Sequence, residues 1–429
     1  VSWYHIFSPF AEKWIALAVL AVTFGLILYR KFNIAYISLA AAGFLILAGI
    51  TDPSVAFLKS VNWDVLAIYW GYGMLAIAFR ESKVPAWIAN RLLARVKSEK
   101  EALLFLCVLA MFLSSFMANP VVVIMLAPLA IEIATKLKAS LFLYLIALAV
   151  SSNIVTTVSM IADPPAIILA TATGMDFLDF YWFQGKVSLG TLSIIGVLVA
   201  ILVLFVQLRK LNKRVSIVPE EIRVSLSPLV LFISSILALA LVPWPNLGTW
   251  NHPGFVGLAV GISSLIAGRS YARSMSKEFD WNTILFLVGI FIVIATVADI
   301  GLLKDFAAWL VRTEMAGPTV YLAIFVWISV LLSSFIDNVP FTVLMIPVCA
   351  GVAQTLGVNP FPFYFGMLVG TGIGGNLTPV GATANVLACG MLEKRGYKVR
   401  FGQYFRIAVP FSMSAVLVVH ILLQLLWLK

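Results

Sequence analysis

Charge is what this chain has least of. Asp, Glu, Lys and Arg make up 11% of its 429 residues, against 62% hydrophobic, and mean hydropathy is +1.04. A water-facing surface normally carries roughly twice that share of charge. Apolar runs near the ~20 residues that span a bilayer instead recur from end to end. Histidine and cysteine are scarce too, three of each. Cys107, Cys349 and Cys389 lie far apart inside apolar segments, so neither a disulfide framework nor a C-x-x-C metal pair can be read. No G-x-S-x-G or H-E-x-x-H occurs, which excludes the usual intramembrane hydrolases. No enzyme activity, cofactor or metal is expected, and no cleavable leader is evident in Val1–Lys13. The net charge of +10 could suggest nucleic acid, but the basic residues sit in short loops between apolar runs. That is the pattern of membrane topology, and no nucleic-acid partner is expected.

What is present is a set of breaks. Ser333–Pro347, SSFIDNVPFTVLMIP, places an acid, an amide, hydroxyls and two prolines between apolar stretches. Interrupted backbone at membrane depth survives only where protein or a water-filled cavity surrounds it. A carboxylate there costs about 2.5–3.5 kcal/mol on insertion scales. Asp337 in such a break is a functional-site candidate by default. Three further breaks follow the same logic: SSFMANP at 114–120, SSNIVTTVSMIADPP within 141–173, and TGIGGNLTPVGATAN within 361–392.

The chain repeats itself. Asn62-Trp63-Asp64 recurs as Asp280-Trp281-Asn282 at an offset of 218, and Ser114-Ser115-Phe116 as Ser333-Ser334-Phe335 at 219. The expected architecture is an all-α polytopic membrane protein with two inverted repeats of five transmembrane helices, each holding a re-entrant hairpin and a broken helix. The first repeat is 1–208, with hairpin tip 114–120 and broken helix 141–173. A cytoplasmic linker follows at 209–226. The second repeat is 227–429, with hairpin tip 333–340 and broken helix 361–392. This arrangement puts 23 of the 29 basic residues on one side, as the positive-inside bias requires, and both termini outside a plasma (inner) membrane. Pro85–Val96 and Lys304–Arg312 read as short amphipathic pieces.

In transporters such breaks meet near mid-bilayer and hold the cargo. Asp337 and Asn338 are the first candidates: desolvation favours a protonated carboxyl and a bound cation favours the charged one, so one acid can exchange the two. Asn376, Thr378, Thr383 and Asn385 offer neutral donors and acceptors around a glycine-rich turn, and Ser333 and Ser334 stand at the hairpin tip. The counterparts are Ser114, Ser115 and Asn119, with Asn153, Thr156 and Thr157. The alternative for these polar residues is helix packing, since Ser and Thr often bond within membrane helices. Asp163, before Pro164-Pro165, reads either as a second proton carrier or as the cap of the restarting helix. Glu132 and Lys136 read as an ion pair at i,i+4 spacing.

SSFIDNVPFTVLMIP, GGNLTPVGATANVLA and DPPAIILA resemble the ion transporter superfamily, in the branch of arsenite efflux pumps, NhaD-type sodium/proton antiporters, the melanosomal P protein and citrate-metal carriers. The resemblance extends from about Trp14 to Trp427. It implies a dimer that moves its cargo by an elevator-like shift of the hairpin domain, with Asp337, Asn338, Asn376 and Thr378 in one site and Asn119 and Asn153 in the other. Relatives usually carry an acid in the first hairpin, where this chain has Ala118.

The function expected is secondary active transport of a small inorganic ion or oxyacid, coupled to H+ or Na+ through Asp337. The leaning is arsenite or antimonite efflux by proton antiport, because arsenious acid is neutral at neutral pH and suits Asn and Thr donors. Sodium/proton antiport is the first alternative and carboxylate or sulfate symport the next. A passive channel is the reading from another class.

Overall fold

The computed structural model describes residues 7–29, 31–93, 96–214, 224–241, 252–312 and 317–428. Residues 215–223 of the expected linker, and 94–95 of the first amphipathic piece, lie outside the described residues. In the first half the helices are α1 (Pro9–Tyr29), α2 (Ile34–Leu47), the single turn α3 (Pro53–Val55), α4 (Trp63–Glu81), α5 (Val84–Leu93), α6 (Glu99–Ser114), α7 (Asn119–Lys136), α8 (Leu141–Asn153), α9 (Pro164–Thr173) and α10 (Leu189–Gln207). In the second half they are α11 (Ser227–Leu241), α12 (His252–Ala267), α13 (Ala272–Glu278), α14 (Trp281–Asp299), α15 (Leu302–Arg312), α16 (Pro318–Ser333), α17 (Asn338–Leu356), α18 (Phe361–Gly374), α19 (Thr383–Glu393) and α20 (Phe401–Trp427). Six of them, α1, α7, α10, α14, α17 and α20, are at least 18 residues long and apolar enough to cross a membrane.

Sequence reading had not foreseen several small elements. These include the π-turn Ala56–Ser60, helix α13 in a basic loop, and the hairpin of β1 (Trp182–Phe183) on β2 (Lys186–Val187). The helices after the hairpin tips begin within the expected tip ranges, at Asn119 and Asn338. Pro120 then occupies the second helical position, where a missing N–H breaks no helix bond.

Elements recur at a nearly constant offset. α4, α5, α6, α7 and α9 start 218 or 219 residues before α14, α15, α16, α17 and α19. The recurrence reaches single hydrogen bonds. Asn62 caps α4 by accepting from Val65 N at 3.1 Å, and Asp280 caps α14 by accepting from Thr283 N at 3.2 Å. Ser159 Oγ donates to the Ser115 carbonyl, and 219 residues later Thr378 Oγ1 donates to the Ser334 carbonyl at 2.6 Å.

Packing crosses between the halves. α4 lies on α12 and α14 on α2; α7 lies on α19 and α17 on α9; α10 lies on α20. In lipid, helices gain by close van der Waals approach, so small residues mark the crossings. A Cβ on Gly71 of α4 would fall on the Gly257 carbonyl, and one on Gly257 would come within 2.6 Å of Ile68 Cα. At the corresponding crossing, a Cβ on Gly289 of α14 would come within 2.5 Å of the Ser38 carbonyl carbon. Gly71 and Gly289 are themselves 218 apart. These two crossings form a frame around the broken elements.

Candidate functional site

Each break has a local cause. α6 stops at Ser114 and α16 at Ser333, where Ser115 and Ser334 turn their hydroxyls back to carbonyls four residues earlier. α8 stops at Asn153, and α9 restarts on Pro164-Pro165, in a first turn where the missing N–H groups break no helix bond. α18 runs into Gly374-Gly375. There a Cβ on Gly374 would press on the Val330 backbone at 2.6 Å and one on Gly375 on the Gly381 carbonyl at 3.0 Å. Only glycine admits that approach.

All four breaks face one cavity of about 460 Å³. The first hairpin contributes Ala118, Asn119 and Pro120; the second contributes Asp337, Asn338 and Val339. The broken helices contribute Asn153 with Ala162, Asp163 and Pro164, and Gly381 with Ala382, Thr383 and Ala384. The starts of α7, α9, α17 and α19 thus border one space, and with them the positive ends of the helix dipoles. The frame closes the rest with Tyr69, Tyr72 and Arg80 of α4 and Glu278, Asp280 and Thr283 at the entry to α14.

Of the sequence-nominated residues, the cavity collects Asp337, Asn338, Thr383, Asn119, Asn153 and Asp163. The others stand behind it as its support. Ser333 Oγ lies 2.5 Å from Asn338 Oδ1 and 2.6 Å from the Thr371 carbonyl oxygen. Asn376 Nδ2 donates to the Val150 carbonyl at 2.8 Å, and its Oδ1 accepts from Asn153 Nδ2 at 3.1 Å. Asn385 accepts from the same Asn153 amide at 3.2 Å and donates to the Gly375 carbonyl at 3.1 Å. This ladder joins the two broken helices through Asn153. The Thr157 and Ser193 hydroxyls are hydrogen-bonded at 2.8 Å, and Thr156 packs against Gly372. Ser334 and Thr378 border a second, mostly apolar groove of about 540 Å³ with Leu331, Phe335 and Phe405. Glu132 and Lys136 pair at 2.5 Å on the surface, away from the cavity.

Charge in the cavity is lopsided. Asp163, Asp337, Glu278 and Asp280 face it, against Arg80. That arginine is held by Glu81 at 2.7 Å and by Glu278. Arg80, and after it Ser274, hold the Glu278 carboxyl below its ordinary range. Asp280 accepts from Thr283 Oγ1 at 2.5 Å, with Tyr69 OH at 3.5 Å. Asp337 caps α17, accepting from Val339 N at 3.0 Å. Asp163 occupies the cap position of α9 without making a cap bond. Sequence reading missed Tyr69, Tyr72, Arg80, Glu278 and Asp280. The NWD and DWN motifs marked where α4 and α14 begin, but nothing local says that these starts face the breaks.

Comparison with known proteins agrees with this architecture. The sequence profile of the citrate transporter family matches residues 24–370. An uncharacterized transporter of Mycobacterium tuberculosis is 25% identical over 424 residues, covering 94% of this chain and 97% of that one. The P protein of Homo sapiens is 26% identical over 501 residues, covering 95% of this chain and 60% of its own length. The crystal structure of the Alcanivorax borkumensis YdaH transporter, described as having an unusual topology, superposes with a TM-score of 0.62. It covers 96% of this chain and 98% of its own at 15% identity, a likeness of fold.

Proposed function

The chain belongs to the citrate transporter family, and from that premise we propose that it couples movement of a small cargo to H+ or Na+ through carboxylates at the meeting point of its four breaks. It is a membrane transporter and not an enzyme. The observation that carries the proposal is the shared cavity, where both hairpin tips and both broken helices present Asp337, Asp163, Asn119, Asn153 and Asn338. The two halves are read as inverted repeats with both termini outside, and alternating access as a shift of the hairpin elements against the α2–α14 and α4–α12 frame. A homodimer belongs to the same reading.

The charge in the cavity chooses among cargoes. Four carboxylates against one already paired guanidinium attract cations. Sodium/proton exchange therefore comes ahead of arsenite efflux. A neutral oxyacid such as arsenious acid stands second, because Asn119, Asn338 and Thr383 supply uncharged donors. Free citrate would meet repulsion from all four acids and suits this cavity only when a bound cation offsets its charge. The test is transport into proteoliposomes under an imposed pH gradient, with sodium, arsenite and citrate (alone and with a divalent cation) offered separately. Sodium-driven proton movement supports the proposal. Currents far above carrier turnover would make the protein a channel and end it.

A further inference from the structure

The internal repeat exposes an exchange of acids. Adding 219 carries Asn119 onto Asn338 and Ser114 onto Ser333, so the hairpin tips correspond residue for residue. The same step carries Ala118 onto Asp337 and Asp163 onto Ala382. Each half therefore holds one acid and one alanine at these two positions, in opposite order. The backbone at the paired positions is nearly the same. Ala118 has φ −54°, ψ 128° and Asp337 has φ −62°, ψ 139°. Asp163 has φ −154°, ψ 152° and Ala382 has φ −140°, ψ 147°. All four residues line the one cavity.

From this geometry we infer that Asp163 is the coupling carboxylate of the first half, standing in space for the acid that its hairpin lacks at Ala118, so that the transporter carries two cation sites. Three observations support the assignment. Asp163 has the cap position of α9 but makes no cap bond, so its carboxylate is not occupied in holding the helix. Asn119 lies in the same cavity wall, is 4% exposed, and has its side-chain oxygen buried without a partner. Such an oxygen is costly unless a ligand completes it. The corresponding Asn338 is instead engaged by Ser333. A carboxylate and an uncommitted amide oxygen lining one cavity supply the oxygen ligands of a Na+ site or a proton acceptor.

The inference rests on the reading of this cavity as the coupling site. The other groups that titrate or carry charge around it are Tyr69, Tyr72, Arg80, Glu278, Asp280 and Asp337, so the test must separate Asp163 from them. Melting temperature of the purified full chain in detergent is measured across pH 5.5–8.5, in NaCl and in choline chloride. A ligand that binds only the folded state raises that temperature with its concentration. Five proteins are compared: wild type, Asp163→Ala, Asp337→Asn, Ala118→Asp with Asp163→Ala, and Asp163→Asn in case the alanine variant is unstable. Wild type should show a cation- or proton-dependent rise. Asp163→Ala should lose part of it, Asp337→Asn the other part, and moving the acid to Ala118 should restore what Asp163→Ala lost. A wild-type response in Asp163→Ala together with a reduced one in Asp337→Asn overturns this inference alone. A wild type insensitive to both Na+ and pH overturns the coupling reading itself.

Discussion

The two hairpin tips have the same backbone and opposite chemistry. In the second half the Ser333 hydroxyl lies within hydrogen-bond distance of both Asn338 Oδ1 and the Thr371 carbonyl, and Asp337 caps its own helix. In the first half the Ser114 hydroxyl and the Asn119 oxygen are buried without partners. One tip is preorganised and satisfied, while the other has polar capacity left over. Two halves that repeat each other need not hold two equal sites. Both tips make the same turn, and they differ in which polar atoms are committed. The largest expected consequence follows from the acid on the satisfied tip. Asp337→Asn should reduce gradient-driven transport in proteoliposomes to the level of protein-free vesicles. The asparagine can still accept from Val339 N, so the folded yield should hold. Wild-type rates in this variant would remove the difference in role between the tips.

The frame offers a contrast in which the halves should behave alike. Gly71→Leu and Gly289→Leu each drive a side chain into a facing backbone. Overpacking of this kind costs about 1–3 kcal/mol, and more when backbone must move. Both should lower the melting temperature by similar amounts. A large loss for one and none for the other would show that only one crossing bears the frame.

Asn376 sharpens the comparison from inside the cavity wall. Its amide joins Val150 of α8 to the break of α18, and accepts from Asn153. Removing it leaves buried partners unsatisfied at about 1–3 kcal/mol. Asn376→Ala should therefore lower the melting temperature while leaving the apparent affinity for a transported ion near wild type. An affinity loss at unchanged stability would move Asn376 from support to direct contact.

Much of this was legible in the residues. The positions of all four breaks follow from polar and proline runs inside apolar sequence, because such runs are too costly in lipid to be accidental. Asp337, Asn338, Asn119 and Asn153 could be nominated on the same ground. What sequence could not tell was which nominated residues reach the cavity. Asn376, Thr378 and Asn385 look the same as Asn338 on paper; that they lie behind the wall is decided by how α8, α18 and α19 meet. Arg80, Glu278 and Asp280 were missed because each sits at an ordinary helix end and faces the breaks only through packing between halves. The exchange of acids was visible at the 219-residue offset, but it acquires meaning only once Ala118, Asp163, Asp337 and Ala382 line one space.

The smallest effect tests the opening contrast most directly. Ser333→Ala removes the hydroxyl that engages Asn338 and the Thr371 carbonyl, leaving buried groups unsatisfied at about 1–3 kcal/mol. Ser114→Ala removes a buried hydroxyl that has no partner. Its loss sacrifices no hydrogen bond and relieves an unmet polar group, so stability should stay near wild type or rise slightly. Chemical or thermal unfolding of the two variants side by side measures the difference. If both lose stability equally, the Ser114 hydroxyl has a partner in the folded protein, and the first tip is as closed as the second. If only Ser333→Ala does, the spare polar capacity of the first tip belongs to the resting protein, where an ion can use it.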